Sequence, residues 1–526
     1  MKKVALTLYT PHKRHTIFVP AGLALHKAIQ QGGFSLTTTC GGYGTCGKCR
    51  VLYHKNPPPP TPAEQKHLSP EELKKGIRLA CQQSVTKDTF IEIFEETTRF
   101  GLHILSEGLL PDVPLNPEIP VKASSQSLYG VAIDLGTTTL VVSLYDLKTG
   151  QRLKSVSGQN PQESYGVDII TRATAATESK ETQNILQKLI LQKINEFLYQ
   201  LTENPETIVH AVLAGNTVMT HLFLGISMDS LLTAPYQAPV TDMQIIKGKS
   251  SGLAIHHQGI VTLLPGIGSF IGGDIAADLL ICHEILPQNA TYLLMDLGTN
   301  CELVLSTPQK TIAASAPAGP VMEGAGITHG MQAEPGALVD LLAVDKEHFI
   351  PITLENKKIR GICGSGLIHT IHTLWKENII SEDGRFVSGI SCVDEKKGVK
   401  ISEDIYLTPQ DIRAFQMAKA AISATWQLLL KAMSLSVKDL DYFVLAGGFG
   451  HYVRPLAGID MGIFPPLSSE SFVYLGNGSL AGCELVLKNK TYTPIIQHLA
   501  KEAIHHELAG RKDFQEMYIR NMQLTY

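Results

Sequence analysis

Charge and aromatic side chains are scarce in this sequence. Charged residues fill 18% of its 526 positions and aromatic residues 6%. A net charge of −4 provides no overall basic field, so nucleic acid is not an expected partner. Long apolar runs are also missing. The best stretch, Gly259 to Gly273, is short, glycine-rich and interrupted by Pro265, so no membrane span is expected. Met1-Lys2-Lys3 leads into a strand-like Val-Ala-Leu-Thr-Leu-Tyr, not into an apolar signal core with a cleavage site. A cytoplasmic location is the expectation. The nine cysteines, an odd number without a secretion signal, point to a reducing compartment and not to a disulfide framework. Neither a Walker phosphate loop nor a G-x-G-x-x-G turn after the first strand is present, which disfavours P-loop and Rossmann nucleotide sites. The length and the 44% hydrophobic content are enough for several domains, each with its own core.

Four of the cysteines have ligand spacing. Cys40, Cys46 and Cys49 lie in Cys-Gly-Gly-Tyr-Gly-Thr-Cys-Gly-Lys-Cys, and Cys81 follows in Arg-Leu-Ala-Cys-Gln. The C-x5-C-x2-C run with a distant fourth cysteine is close to the plant-type [2Fe–2S] pattern. Gly41, Gly42, Gly44 and Gly47 let the loop wrap tightly and aim N–H groups at sulfur. Four-cysteine zinc sites usually show two separated C-x2–4-C knuckles, and only one such pair occurs here. The spacing therefore predicts an iron–sulfur centre and single-electron transfer. Cys282, Cys301, Cys363, Cys392 and Cys483 lack ligand spacing and read as buried thiols.

Residues 1–97 read as one small unit. Strands are predicted at Val4–Leu8, Thr16–Val19, Arg50–Tyr53 and Phe90–Phe94, with a helix near Leu23–Gln31. Thr61-Pro-Ala-Glu64 and Ser69-Pro-Glu-Glu72 each carry a capping box with proline at the first helical position. This plan is a β-grasp ferredoxin domain. Residues 98–126 form a linker with Pro111, Pro114, Pro117 and Pro120 at regular spacing, read as a stiff tether on which the first unit swings.

The remainder contains an internal echo. The strand–turn–strand segment around Asp134-Leu-Gly-Thr recurs 162 residues later around Asp296-Leu-Gly-Thr. A period this long implies two related lobes, 127–290 and 291–490, with a tail over 491–526 that carries His498, His505 and His506. Glycines 136 and 298 at the ends of apolar strands permit close approach to a phosphate. Thr137, Thr138 and Thr139 in one turn, with Thr299 and Asn300 in the other, offer hydroxyl and N–H donors. Asp134 and Asp296 are placed to hold Mg²⁺, mostly through water. Gly361-Ile-Cys-Gly-Ser-Gly opens an apolar helix whose N-terminus suits an anion. Gly447 and Gly448 follow a predicted strand, Tyr442–Leu445, and suit a nucleoside. Gly476-Asn-Gly starts what reads as the last strong helix.

The two Asp-Leu-Gly-Thr loops and Ala446-Gly-Gly-Phe-Gly resemble the phosphate and adenosine motifs of the ASKHA superfamily of acetate and sugar kinases, Hsp70 and actin. With the ferredoxin front end, the chain resembles the reductive activators of corrinoid proteins. Further matching stretches are Asn160-Pro-Gln with Tyr165-Gly-Val-Asp168, Ala214 to His221, Gly272-Gly-Asp274, Ala316 to Pro320 with Glu323 to Gly326, and Asp411-Ile-Arg with Ala418-Lys-Ala-Ala421. The resemblance implies a multidomain α/β chain: a [2Fe–2S] β-grasp domain, a Pro-rich linker and a two-lobed ASKHA ATPase. It implies ATP-dependent one-electron reduction of Co(II) to Co(I) in a corrinoid partner of a methyltransferase system. It also implies Mg²⁺, a low-potential electron donor and a homodimer. Asp134, Asp296 and, as a water-orienting carboxylate, Glu302 are the expected catalytic residues. Two other readings fit the same architecture: a redox-sensing small-molecule phosphotransferase, and a scaffold that binds nucleotide without hydrolysing it.

Overall fold

The computed structural model describes residues 3–9, 14–31, 35–36, 49–93, 98–99, 108–121, 128–166, 168–298, 300–344, 348–394, 397–447, 453–508 and 510–525. Cys40, Cys46, Thr299 and Gly448 lie outside the described residues.

The N-terminal unit is a mixed five-stranded sheet in the order Arg14–Pro20, Lys3–Tyr9, Thr89–Ile93, Arg50–Tyr53, Ile77–Leu79. Lys3–Tyr9 pairs antiparallel with Arg14–Pro20 and parallel with Thr89–Ile93, and the helix Leu25–Gln31 packs into the same core. This is the expected β-grasp arrangement. Both capping boxes form, at Thr61/Glu64 and Ser69/Glu72.

The duplication is visible in two six-stranded sheets. The first contains β1 (Tyr129–Leu135), β2 (Thr139–Asp146), β3 (Arg152–Gln159), β4 (Ile208–Gly215), β5 (Gln244–Lys247) and β6 (Ile260–Leu263). The second contains β7 (Tyr292–Leu297), β8 (Cys301–Ser306), β9 (Thr311–Ala316), β10 (Tyr442–Ala446), β11 (Phe472–Gly476) and β12 (Ala503–His505). The orders are β3-β2-β1-β4-β6-β5 and β11-β10-β7-β8-β9-β12. In each, an antiparallel meander of three strands is extended by two parallel ones, so β3-β2-β1-β4-β6 matches β9-β8-β7-β10-β11. The sixth strands break the match. β5 is antiparallel on the parallel edge, whereas β12 is parallel on the meander edge.

The helices around these sheets include α1 (Ile169–Glu178), α2 (Gly273–Ile285), α3 (Gly364–Lys376), α4 (Pro409–Ala432), α5 (Gly478–Lys488), α6 (Tyr492–Glu502) and α7 (Lys512–Arg520). Helix α5 leaves the second sheet after β11 and packs on α2, β1 and β4 of the first. One apolar cluster therefore runs between the sheets, joining Ala132 and Val212 to Leu294, Val444 and Leu480. Outer cores flank it on either side.

Two expectations need correction. Helix α5 is not the last strong helix, because α6 and α7 come after it. The C-terminal segment is built into the fold: β12 extends the second sheet, and the buried Lys419 of α4 donates to the Gln523 carbonyl at 2.5 Å. The linker is also not free along its length. Leu109 N–H donates to the Leu475 carbonyl at 2.7 Å and Asn116 N–H to that of Lys488 at 2.9 Å. Asn489 Nδ2 donates to the Pro114 carbonyl at 3.0 Å. Leu110 and Val113 pack on the inter-sheet core, so residues 108–121 are docked along α5.

Candidate functional site

Strand ends create the site. β1 and β4 run parallel, as do β7 and β10, and the Asp-Leu-Gly-Thr turns sit at the carboxyl ends of β1 and β7. Ligand sites of α/β sheets form at this edge, where backbone groups leave the ladder. The two turns differ in length. Four residues separate the paired Leu135 and Leu140, but three separate Leu297 and Cys301. In each, the glycine N–H closes the turn: Gly136 N–H to the Thr139 carbonyl at 3.1 Å, Gly298 N–H to that of Asn300 at 3.0 Å.

Asp134 is fixed from the other lobe. Asn477 Nδ2 donates to its Oδ2 at 2.8 Å and Ser479 Oγ to its Oδ1 at 2.9 Å, both from the start of α5. Burial raises its pKa and these hydrogen bonds oppose the rise. Asp296 sits at the matching position. Burial first, then the charges of Asp274, Asp134 and Glu323, push its carboxyl up to about 8. Gly447 lies against it with φ +82°, and a Cβ there would stand 2.4 Å from Asp296 Oδ1 and 2.5 Å from the Leu297 carbonyl oxygen. Only glycine fits that approach.

Glu302 comes from the neighbouring strand. It is buried on β8 directly opposite Asp296 and accepts from Ser315 Oγ at 3.3 Å. Burial and the charges of Asp274 and Asp296 raise its pKa well above the usual range. Two further carboxyls join the group, and both come from α2. Asp274 accepts from the Ile275 N–H at 2.9 Å; burial, with Asp134 adding to it, pushes it up to about 7. Asp278 is fully buried, neither oxygen has a hydrogen-bond partner among the described residues, and a Cβ on Gly478 would meet its Oδ1 at 2.1 Å.

Among the described residues no three histidine, cysteine or carboxylate side chains converge to ligate a metal directly. A divalent cation at this edge would keep waters and share phosphate oxygens, as Mg²⁺ commonly does. The helix expected after the Gly361 run forms: α3 begins at Gly364, with Ser365 buried.

The cluster site is described in part. Cys49 is buried at the start of its strand and Cys81 is half-buried in the turn Ala80–Gln82. The Ala80 N–H donates to the Cys49 carbonyl at 2.8 Å, so the two ligand segments touch. Gln82 Nε2 lies 3.6 Å from Cys81 Sγ, a donor suited to a thiolate ligand. Two adjacent cysteines and a sulfur-directed donor fit an iron–sulfur cluster. Cys282, Cys301, Cys363 and Cys483 are buried, as expected, and Cys392 is half-buried.

Several supporting residues escape sequence reasoning. Glu64 reads from sequence as a helix cap, yet its buried carboxylate also accepts from the Leu79 N–H and Gln83 Nε2, both at 2.8 Å, which braces the Cys81 segment. Asn216, Asn477 and Ser479 are reachable from sequence only as polar residues after apolar strands. Asp274 carries a signal in its Gly-Gly-Asp run, but nothing local gives it a role.

Comparison with known proteins accounts for both halves. A family model described as the C-terminal domain of RACo, the ASKHA domain, matches residues 290–526, one for the RACo middle region matches 129–284, and a 2Fe-2S iron-sulfur cluster binding domain matches 10–86. A corrinoid activation enzyme, RamQ, of Eubacterium limosum is 32% identical over 77% of this chain and 71% of its own length. The reductase of a methylated amine-specific Co(II) corrinoid protein of Methanosarcina barkeri is 26% identical over 76% of this chain and 77% of its own. The solved structure of a reductive activator for a corrinoid, iron-sulfur protein aligns over 99% of this chain and 98% of its own, with a TM-score of 0.71 and 26% identity. The chain belongs to the family of reductive activators of corrinoid proteins.

Proposed function

We propose that this protein uses ATP to drive a single electron onto the Co(II) of a corrinoid partner, restoring Co(I). The observation that carries this reading is the union, in one chain, of a ferredoxin unit with paired sheets whose matching strand ends hold Asp134 and Asp296. When bound, the [2Fe–2S] cluster supplies the electron. Cys40, Cys46, Cys49 and Cys81 are its ligands. Plant-type clusters lie near roughly −400 mV, and each ~59 mV of uphill gap costs about 1.4 kcal/mol for one electron. Coupling to ATP overcomes such a gap.

The nucleotide lies between the lobes. Gly136 with Thr137–Thr139, and Gly298 with Thr299 and Asn300, cradle its phosphates, while Gly447 and Gly448 line the nucleoside. Asp134 and Asp296 organise Mg²⁺ through water. Glu302 and Asp274 orient the attacking water. Asn477 and Ser479 link this chemistry to α5, so a change at Asp134 is felt across the lobe boundary. A low-potential donor reloads the cluster. The protein works in the cytoplasm as a homodimer.

ATP turnover measured with and without the corrinoid partner tests the reading. It predicts slow turnover, stimulated by the partner, with ADP and inorganic phosphate as products. A phosphorylated small molecule would mean a phosphotransferase, and no turnover with the partner present would mean a scaffold.

A further inference from the structure

Arg172, on α1, is fully buried. Its Nη1 donates to the Thr137 carbonyl at 2.8 Å and to Gln162 Oε1 at 3.3 Å, and lies 3.3 Å from Met219 Sδ. Nη2 and Nε both donate to the Gly166 carbonyl, at 2.8 and 3.2 Å. Among the described residues no carboxylate hydrogen-bonds to it. Glu163 and Asp168 act on it only through their fields, and Asp168 is occupied as the cap of α1, accepting from the Thr171 N–H and hydroxyl. A guanidinium taken out of water without an ion-pair partner is strongly disfavoured. Neutral donors would serve the same carbonyls, so these bonds do not explain why the residue is charged.

The turn in front of it suggests why. Three successive carbonyls are tied back: Gly136 to Asn160 Nδ2 at 2.9 Å, Thr137 to Arg172, and Thr138 to the Asn160 N–H at 2.8 Å. In a planar trans peptide the N–H points opposite to the carbonyl. Tying back the first two carbonyls therefore aims the N–H groups of Thr137 and Thr138 the other way. Asn216 Nδ2 holds the Thr137 hydroxyl at 2.8 Å. The turn is thus held by Asn160 and Asn216, with one buried positive charge behind it.

We propose that Arg172 is a positioning residue for the nucleotide phosphates, fixing the Thr137 carbonyl and placing a buried positive charge behind the turn. The inference rests on the reading of Thr137–Thr139 as a phosphate turn. Calorimetric titration of the full-length protein with ATP, ADP and adenosine tests it, using wild type, Arg172→Met and Arg172→Lys. Arg172→Met should weaken ATP and ADP by about tenfold or more and leave adenosine unchanged. Arg172→Lys, which keeps the charge but not the fork, should fall between. If Arg172→Met does not fold, Arg172→Lys decides alone: weaker ATP at unchanged adenosine supports the role. Equal loss for all three ligands, or no loss, overturns it. Wild-type protein that shows no preference for ATP and ADP over adenosine would remove the phosphate-turn reading itself, and this inference with it.

Discussion

Asp296 illustrates what a strand end does to a carboxyl. At the carboxyl end of β7 it loses water and gains acidic neighbours, and both raise its pKa from 3.8 to about 8, with Asp274 raised to about 7. Between the unfolded value and these folded ones, the native chain holds more protons than the unfolded chain. Stability must therefore fall as pH rises through that window. Thermal denaturation of the nucleotide-free protein should give a falling melting temperature between about pH 5 and pH 8, and Asp296→Asn should flatten the fall; a rising profile would contradict the burial argument. Cys81 offers a second test at this scale. Cys81→Ser should abolish the visible absorption of the cluster and electron transfer while ATP turnover persists, since the nucleotide turns belong to other sheets. Asp134, Asp296 and the cysteines were legible because repetition and ligand spacing are local signals. Asp278 and Arg172 were not, because their meaning lies in burial against segments distant in sequence.

At the scale of elements, the crossing of α2 and α5 is the joint between the lobes. A Cβ on Gly482 would stand 2.5 Å from Ala277 Cβ and 2.7 Å from its Cα, so the helices touch at backbone distance. Gly482→Val should destabilise the fold by about 1–3 kcal/mol in urea titration and reduce ATP turnover. Helix α5 is also anchored by charge. Arg152 Nη2 meets both oxygens of the fully buried Glu484 at 2.8 and 2.9 Å, and its Nε donates to Tyr145 Oη at 2.9 Å. Glu484→Ala removes the carboxylate from this charge-assisted pair and should cost about 1.5–3 kcal/mol. Double-mutant cycles with Arg152→Met would assign the loss to the pair. Four strands of the five-stranded N-terminal sheet and both capping boxes were readable because periodicity and caps act within a few residues, whereas the short Ile77–Leu79 was not predicted. The partner of α5 was not, because an apolar helix after β11 packs equally well in principle on either sheet.

For the whole molecule, the duplicated sheets explain why one pattern of Asp, Gly and Thr appears twice, while β5 and β12 are where the two sheets differ. Proline spacing marks 98–126 as a linker, but composition carries no information about the docking of residues 108–121. Hydrogen exchange should find the Leu109 and Asn116 amides protected, since each donates to the segment around α5; rapid exchange there would restore a free tether. The central claim is that ATP is required to move the electron. Its most direct test is the Co(II)-to-Co(I) conversion of a corrinoid partner, followed by absorbance, with a chemically reduced low-potential donor and the holoprotein, with and without Mg²⁺–ATP. Co(I) should accumulate only with ATP and should fail with Asp296→Asn; conversion at full rate without nucleotide would contradict the account.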